Sequence, residues 1–382
     1  MKFKRKKNRK NRMSVERRYK ANRICGILVW AILLVYGVSA IFAYAFTLGN
    51  SRDTFLLKRF SDAVQRNVDV AITEKTVGRD AFVGGVTAMV SFANGFRVGD
   101  IYLTEERLME YPKQLDVNQL SDTANQLNDF YRSYQVPMCV IAVPSASEFY
   151  GTELLNGLTV PSQASFIDTF YQQFDSSIRK IDVYHVLYTM TDSYIYNRTD
   201  SRWTGYGAYC VYCVAIQKMG FAPVSYDQYI VQHTGTFRGK LYESCLYQSV
   251  AADTIDIYTC SSGAEETEIL AYLADGTVEE RHLYQETETE DPAAYYLGES
   301  CEKIVIQTDL ESQRKLLVLK DSYADCIVPF FLQHYSEICV INVTEMQHPL
   351  SELIDVSEYS QILVLCDADT FSDVRNFYYI CD

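Results

Sequence analysis

Ile24 to Leu48 is a run of 25 residues without a single charged side chain, and no other feature limits this chain so strongly. As a helix rising ~1.5 Å per residue, such a run is long enough to cross a ~30 Å hydrocarbon core with some tilt. It also separates two electrostatic regimes. Residues 1–23 hold twelve Lys or Arg against Glu16 alone, a charge of +11, whereas residues 24–382 hold 23 basic and 48 acidic residues, a charge of −25. Trp30 and Tyr44 suit the two interfaces, and the basic tail fixes the orientation by the positive-inside rule. The expected organisation is a cytoplasmic tail over 1–23, a transmembrane helix over 24–48, a juxtamembrane segment over 49–95 and an extracytoplasmic domain over 96–382. Two rival readings are weaker. A basic tail abutting an uncharged span is a topology signal before it is a nucleic-acid site. Ala43-Tyr44-Ala45 resembles a signal-peptide cleavage site, but the apolar stretch far exceeds the ~7–15 residues of a signal peptide.

Eleven cysteines are an odd number, and Cys25 falls inside the apolar span. Cys139, Cys326, Cys339 and Cys366 sit in or beside runs of Val, Ile and Leu, where cysteine acts as a small buried hydrophobe. Cys210-x-x-Cys213 has redox spacing but lies inside a helical pattern, and no second pair completes a zinc site. Neither a metal nor a cofactor is expected, and the chain holds no dinucleotide fingerprint, phosphate-binding loop or zinc-protease helix.

Beyond residue 95 the pattern alternates between strands and helices. Val98–Thr104 reads as a strand whose Thr104-Glu105-Glu106 end resembles a helix cap. Asn118–Tyr134 is an amphipathic helix, with Leu120, Ala124, Leu127 and Tyr131 on one face. Met138–Val143, between Pro137 and Pro144, suits a strand buried on both faces. Helices are expected over Phe166–Ile178 and Gly207–Met219, the latter capped by Thr204. Thr254–Cys260 and Glu268–Tyr284 alternate apolar and polar residues around Asp275-Gly276, a hairpin signal, and together suggest a β insertion at about 250–300. Strand-like runs return at Lys303–Gln307, Lys315–Lys320, Ile338–Asn342 and Gln361–Cys366. Buried strands separated by helices predict a mostly parallel sheet covered on both faces.

Two segments carry candidate chemistry. Leu316-Leu317-Val318-Leu319-Lys320-Asp321-Ser322 ends a buried strand on a serine, the place where an α/β sheet presents reactive groups. Ser322 reads equally as a nucleophile, with backbone amides near it for an oxyanion, and as a helix cap completed by Asp325. Pro329 requires the following helix to kink or to start late. The second segment is the polar loop Arg198-Thr199-Asp200-Ser201-Arg202-Trp203-Thr204.

The two segments, with Gly207-Ala208-Tyr209, Phe237-Arg238-Gly239-Lys240-Leu241-Tyr242, Val328-Pro329-Phe330 and His334-Tyr335, occur in an order and spacing that resembles the DHHW family of bacterial surface proteins, relatives of the alginate O-acetyltransferases. The resemblance covers about 96–382. It implies an SGNH-hydrolase-like three-layer α/β/α sandwich and a Ser-His-Asp triad that moves an acetyl group onto or off a cell-surface polysaccharide, with a membrane-bound acyl-transfer protein as an expected partner. Carried over, the nucleophile falls on Ser322 and the triad aspartate on Asp200. The histidine position is Arg202: the family's Asp-His-His-Trp reads Asp-Ser-Arg-Trp. A guanidinium has no accessible neutral form, so Arg202 cannot act as the general base. It can instead pair with Asp200, hold an acidic group of a glycan, or assist an oxyanion. His334 and His233 are the substitute bases to test; His185, His282 and His348 have no motif around them. The alternative to an acetyl-transfer enzyme or acetylesterase is a glycan-binding accessory module that kept the fold and lost turnover.

Overall fold

In this computed structural model the described residues are 84, 85, 87, 96–112, 115–151, 162–261, 263–285 and 292–381. They all fall within one compact unit, Gly78–Asp382, distinct from Met1–Val77. The expected tail, the transmembrane helix and nearly all of the juxtamembrane segment lie outside the described residues. Among those residues no helix is long and apolar enough to cross a membrane.

The chain enters through a three-stranded antiparallel sheet, β1 (Arg97–Val98), β2 (Ile101–Leu103) and β3 (Leu108–Glu110). The single strand expected over Val98–Thr104 is therefore a hairpin, turned at Gly99 with φ +57°, a conformation glycine adopts without steric cost. Thr104 caps no helix. Its Oγ1 accepts the amides of Glu106 (3.2 Å) and Arg107 (2.9 Å) and turns the chain into β3.

The remaining strands are β4 (Met138–Val143), β5 (Arg179–Lys180), β6 (Tyr229–Phe237), β7 (Asp253–Cys260), β8 (Glu266–Tyr272), β9 (Val278–Glu280), β10 (Lys303–Thr308), β11 (Lys315–Lys320), β12 (Glu337–Asn342) and β13 (Gln361–Asp367). Eight of them form one sheet in the order β5-β4-β13-β11-β12-β10-β8-β9. From β5 to β12 every pairing is parallel; from β12 to β9 every pairing is antiparallel. The fold is thus mixed α/β around a large, mostly parallel sheet.

The strands of the parallel half are buried on both faces because each face has its own core. Ile141, Val318, Val340 and Leu363 point into one, packed with Val211, Tyr212 and Ala215 of the helix Gly205–Lys218. Val140, Leu319, Ile341 and Val364 point into the other, with Leu120, Leu127 and Phe130 of the helix Val117–Tyr134. That alternation along apolar strands is the period of two required of a sheet covered twice.

Helix ends differ from the periodicity where tertiary contacts take over. The first helix starts at Val117, capped by Asp116, whose Oδ1 accepts the Asn118 amide at 2.9 Å. The helix expected over Phe166–Ile178 runs instead over Gln163–Tyr171. Beyond it, Asn128 binds the Gln173 carbonyl and the Asp175 amide, both at 2.9 Å, and holds the chain in a non-helical path. The helix expected from Gly207 starts at Gly205, two residues earlier, with Thr204 as its cap through the Gly207 amide at 3.1 Å. Its Cys210 and Cys213 are free.

The β insertion dissolves into two other structures. β8 and β9, joined through Asp275-Gly276 with Gly276 at φ +85°, extend the main sheet. β7 pairs with β6 in a separate two-stranded sheet. His233, expected in a loop, lies on β6.

Candidate functional site

Asp200 and Arg202 are held in a tight loop. Tyr196 and Trp203 pair across its neck, and the Asn197 amide donates to the Arg202 carbonyl at 3.1 Å. Asp253, fully buried at the start of β7, is the anchor that sequence reasoning missed. Its carboxylate accepts the amides of Arg198 (2.5 Å) and Thr199 (2.7 Å) and the hydroxyls of Tyr194 and Thr199. Thr199 Oγ1 accepts the Gly239 amide at 2.9 Å, tying in the Phe-Arg-Gly segment. Gly239 is needed for space. A Cβ there would lie 2.4 Å from Asp200 Oδ2 and 2.5 Å from Asp200 Cβ.

Within this frame Asp200, 1% exposed, meets Arg202 as a two-pronged ion pair: Nε to Oδ1 at 2.7 Å and Nη2 to Oδ2 at 2.8 Å. Burial alone would raise the Asp200 carboxyl. The Arg202 charge and the hydrogen bonds to the carboxylate outweigh it and hold the group below its ordinary value. Arg202, at the position where the family resemblance expects a histidine, thus faces Asp200 as a permanent cation.

Ser322 follows the carboxyl end of β11 and opens a short 3₁₀ turn, Ser322–Ala324. The cap of that turn is Asp321, not Ser322: Asp321 Oδ1 accepts the Tyr323 amide at 2.9 Å and Oδ2 accepts the Asp367 amide at 2.7 Å. Asp325 does not complete a capping box but pairs with buried Lys320. Freed from capping, Ser322 is exposed, and its hydroxyl makes no hydrogen bond among the described residues. Pro329 sits in the first turn of a late-starting helix, Val328–Phe331.

Two hydrogen bonds bring the Asp200 loop to this turn. Tyr323 Oη donates to the Ser201 carbonyl and Trp203 Nε1 donates to the Tyr323 carbonyl, both at 2.7 Å. Ser322 and Arg202 line one cavity of about 30 Å³, with Trp203, Phe237, Ile255 and Tyr296. Ser322 also lines a second cavity of about 220 Å³ with Lys240, Ser300, Asn342 and Thr344. Asp200 lies one contact behind, reached through Arg202.

No histidine lines either cavity among the described residues. His334 is packed against Phe221 and bonded to Tyr212 Oη at 2.7 Å, and burial pushes its pKa down to about 4. His233 pairs with Asp256 at 2.9 Å on the exposed β6–β7 sheet. His348 bonds Glu302 at 3.0 Å, and His185 lies 3.8 Å from Asp182. Cys326 does line the smaller cavity, with its thiol pushed up to about 12 by burial, so it stays protonated.

The described architecture has solved counterparts. A DHHW family protein from Eubacterium siraeum is 19% identical, with a TM-score of 0.62 over 73% of this chain and 97% of that one. Bacillus cereus PatB1 with a sulfonyl adduct is 18% identical, with a TM-score of 0.60 over 73% and 97%. PatB1 without the adduct gives a TM-score of 0.58. At these identities the likeness establishes the fold alone. No curated protein sequence matches significantly. The DHHW protein family model matches residues 67–341, starting earlier than the motifs do and covering well over half of the chain. The chain belongs to the DHHW protein family.

Proposed function

We propose that this chain is an extracytoplasmic, SGNH-like protein of a cell-surface polysaccharide O-acetylation system, anchored by residues 24–48, which binds its glycan at Ser322 and turns over acetyl groups weakly. One observation carries the reading. Ser322 stands exposed at the carboxyl edge of a parallel sheet, in a cavity lined by Arg202, with no imidazole in the lining among the described residues. The resemblance to the alginate O-acetyltransferases suggests the acetyl chemistry; Arg202 in place of a base is what makes the expected turnover weak. Without a base the serine loses proton-transfer help worth ~10²–10⁴-fold, and loss of a cooperating triad member costs more. The bidentate pair also weakens the idea of Arg202 as a clamp for an acidic glycan, since Asp200 already engages its fork. A full enzyme would need a base from elsewhere around Ser322.

The test is hydrolysis of a simple activated acetyl ester by the native chain, Arg202→His, and Arg202→His/Ser322→Ala. Native rates are expected near background, with a gain in the histidine variant that the second substitution removes. Strong native esterase activity, lost in Ser322→Ala, would refute the attenuated site.

A further inference from the structure

We propose that the outer edge of β6 is a pairing edge, on which a second copy of this chain adds its own β6 in antiparallel orientation. Free sheet edges invite strand addition, and proteins blunt them by keeping them short or charged. This chain does so elsewhere. The main sheet ends on β5, whose two residues are Arg179 and Lys180, and on β9, which carries Glu279 and Glu280. β6 is the exception among the edges of the described sheets. It runs from Tyr229 to Phe237 without an Asp, Glu, Lys, Arg or Pro.

The two edges of the β6–β7 ribbon differ. On β7, Tyr284 Oη accepts the Tyr258 amide at 3.2 Å and donates to the Tyr258 carbonyl at 3.0 Å, and Tyr296 Oη donates to the Asp256 carbonyl at 2.9 Å. Tyr258 and Asp256 therefore turn their backbone groups away from β6. In an antiparallel pair, residues directly opposite each other turn inward or outward together. Their partners Val231 and His233 accordingly turn the same groups away from β7, where no group among the described residues meets them. A bulge bends the strand only beyond this pair, between His233 and Gly235.

The occupant follows from charge. Residues 24–382 hold 23 basic and 48 acidic residues, so two copies repel one another over most of their surface. The uncharged strip of β6 lets two such chains meet without bringing like charges together. Ile230 and Val231, 53% and 39% exposed, give each copy apolar surface to cover. A basic partner would be drawn to the acidic surface instead of this strip.

The open groups also set the register. A twofold axis at Gln232 pairs Val231 of each copy with His233 of the other and satisfies all of the outward amides and carbonyls. An axis at Val231 would need Tyr229, whose amide is already bonded to the Tyr226 carbonyl, and an axis at His233 meets the bulge. Gln232 then faces its own copy in a non-hydrogen-bonded pair, with Cα atoms ~4.5 Å apart, inside the ~4.4–6.8 Å that a disulfide spans. One strand pair is a small contact, so the association is reversible and governed by local concentration.

The pairing does not depend on the chemistry at Ser322, and its test reads geometry alone. The full-length Gln232→Cys variant, diluted in lipid vesicles, is oxidised with diamide, and peptide mass spectrometry follows the disulfide that joins position 232 of two copies. That bridge is expected to form readily, whereas Thr236→Cys, displaced from the axis, is expected to form none between its own copies. Adding Val231→Pro to Gln232→Cys removes one outward amide per copy and leaves the β6–β7 ladder intact. It should lower the bridging rate about thirtyfold, the scale of two lost hydrogen bonds. Should that variant misfold, Ile230→Lys takes its place by setting a charge on the strip. Absence of the bridge at 232 overturns the pairing, whatever other protein the strand then binds. So does a bridge of equal yield at 236, or one at 232 that the second substitution does not slow.

Discussion

Two ionisable pairs lie close to the Ser322 turn, and they treat an aspartate in opposite ways. On one side Asp200 faces Arg202, an opposite charge with bidentate geometry, and its carboxyl is held low. On the other, Asp321 directly follows β11 and Asp367 ends the adjacent parallel strand β13. Burial first, and for Asp367 next the charge of Asp321, pushes both carboxyls upward. One side of the site is therefore locked in a charged state and the other is biased toward retaining a proton. Burial is common to both; the sign is set by the partner.

The strongest way to break this comparison is to remove the cation. Arg202→Ala leaves Asp200 buried without its counter-charge, and uncompensated burial of this kind costs about 3–5 kcal/mol. Urea unfolding at pH 7 should show that loss, and Asp200→Asn/Arg202→Met should recover much of it, since removing both partners leaves no orphan charge. A single variant as stable as the parent would mean that Asp200 finds water or a new donor, and that the pair does not define the loop. The pH dependence sharpens the point. A lowered carboxyl contributes stability that is present above its unfolded pKa of ~3.9 and is lost as pH falls through the folded value. The Arg202→Ala deficit should therefore shrink as the protein is acidified.

Gly239→Ala tests the same loop by volume. The added methyl would overlap the Asp200 side chain at 2.4–2.5 Å, and overpacking of a buried site costs ~1–3 kcal/mol. The backbone there is unstrained, with φ −84°, so any loss reports the clash rather than a conformational preference. An unchanged unfolding midpoint would show that the loop moves aside.

The parts of this arrangement legible in the sequence were those with a local signature. Met138–Val143 and Lys315–Lys320 stand out as apolar runs because both faces of their strands are covered. β6 left no such trace. Five of its nine residues in a row, Ile230–Thr234, are exposed, so no apolar face marks it, and its partner β7 is decided by long-range pairing. The Arg198–Thr204 and Lys320–Asp325 motifs revealed the loop and the serine. Asp253 stayed hidden because its role is to receive backbone amides of Arg198 and Thr199, 55 and 54 residues away, and any sequence can supply amides. At Asp321-Ser322 two good capping residues are adjacent. Only the structure shows that Asp321 takes the cap and leaves the serine exposed.

The smallest expected effect has the opposite sign and probes the other pair. Asp367 caps the short helix Ala368–Phe371, its Oδ1 accepting the Thr370 amide at 2.5 Å. Asparagine keeps an oxygen for that bond and caps about as well, so Asp367→Asn removes a titratable carboxyl facing Asp321 with little other change. A carboxyl whose folded pKa is raised makes the native state bind more protons than the unfolded chain above pH ~3.9, so stability falls as pH rises through the folded value. The substitution abolishes that decline. Asp367→Asn should match the parent below about pH 4 and exceed it at pH 7–8 by ~0.5–2 kcal/mol, the range of a relieved unfavourable charge. Unfolding midpoints across that pH series read the difference directly. A constant offset would mean that Asp367 is ionised in the folded protein throughout and that its neighbour holds the proton. A loss of stability growing with pH would mean that the Asp321–Asp367 pair is compensated by a group beside it, and that both pairs are charge-locked alike.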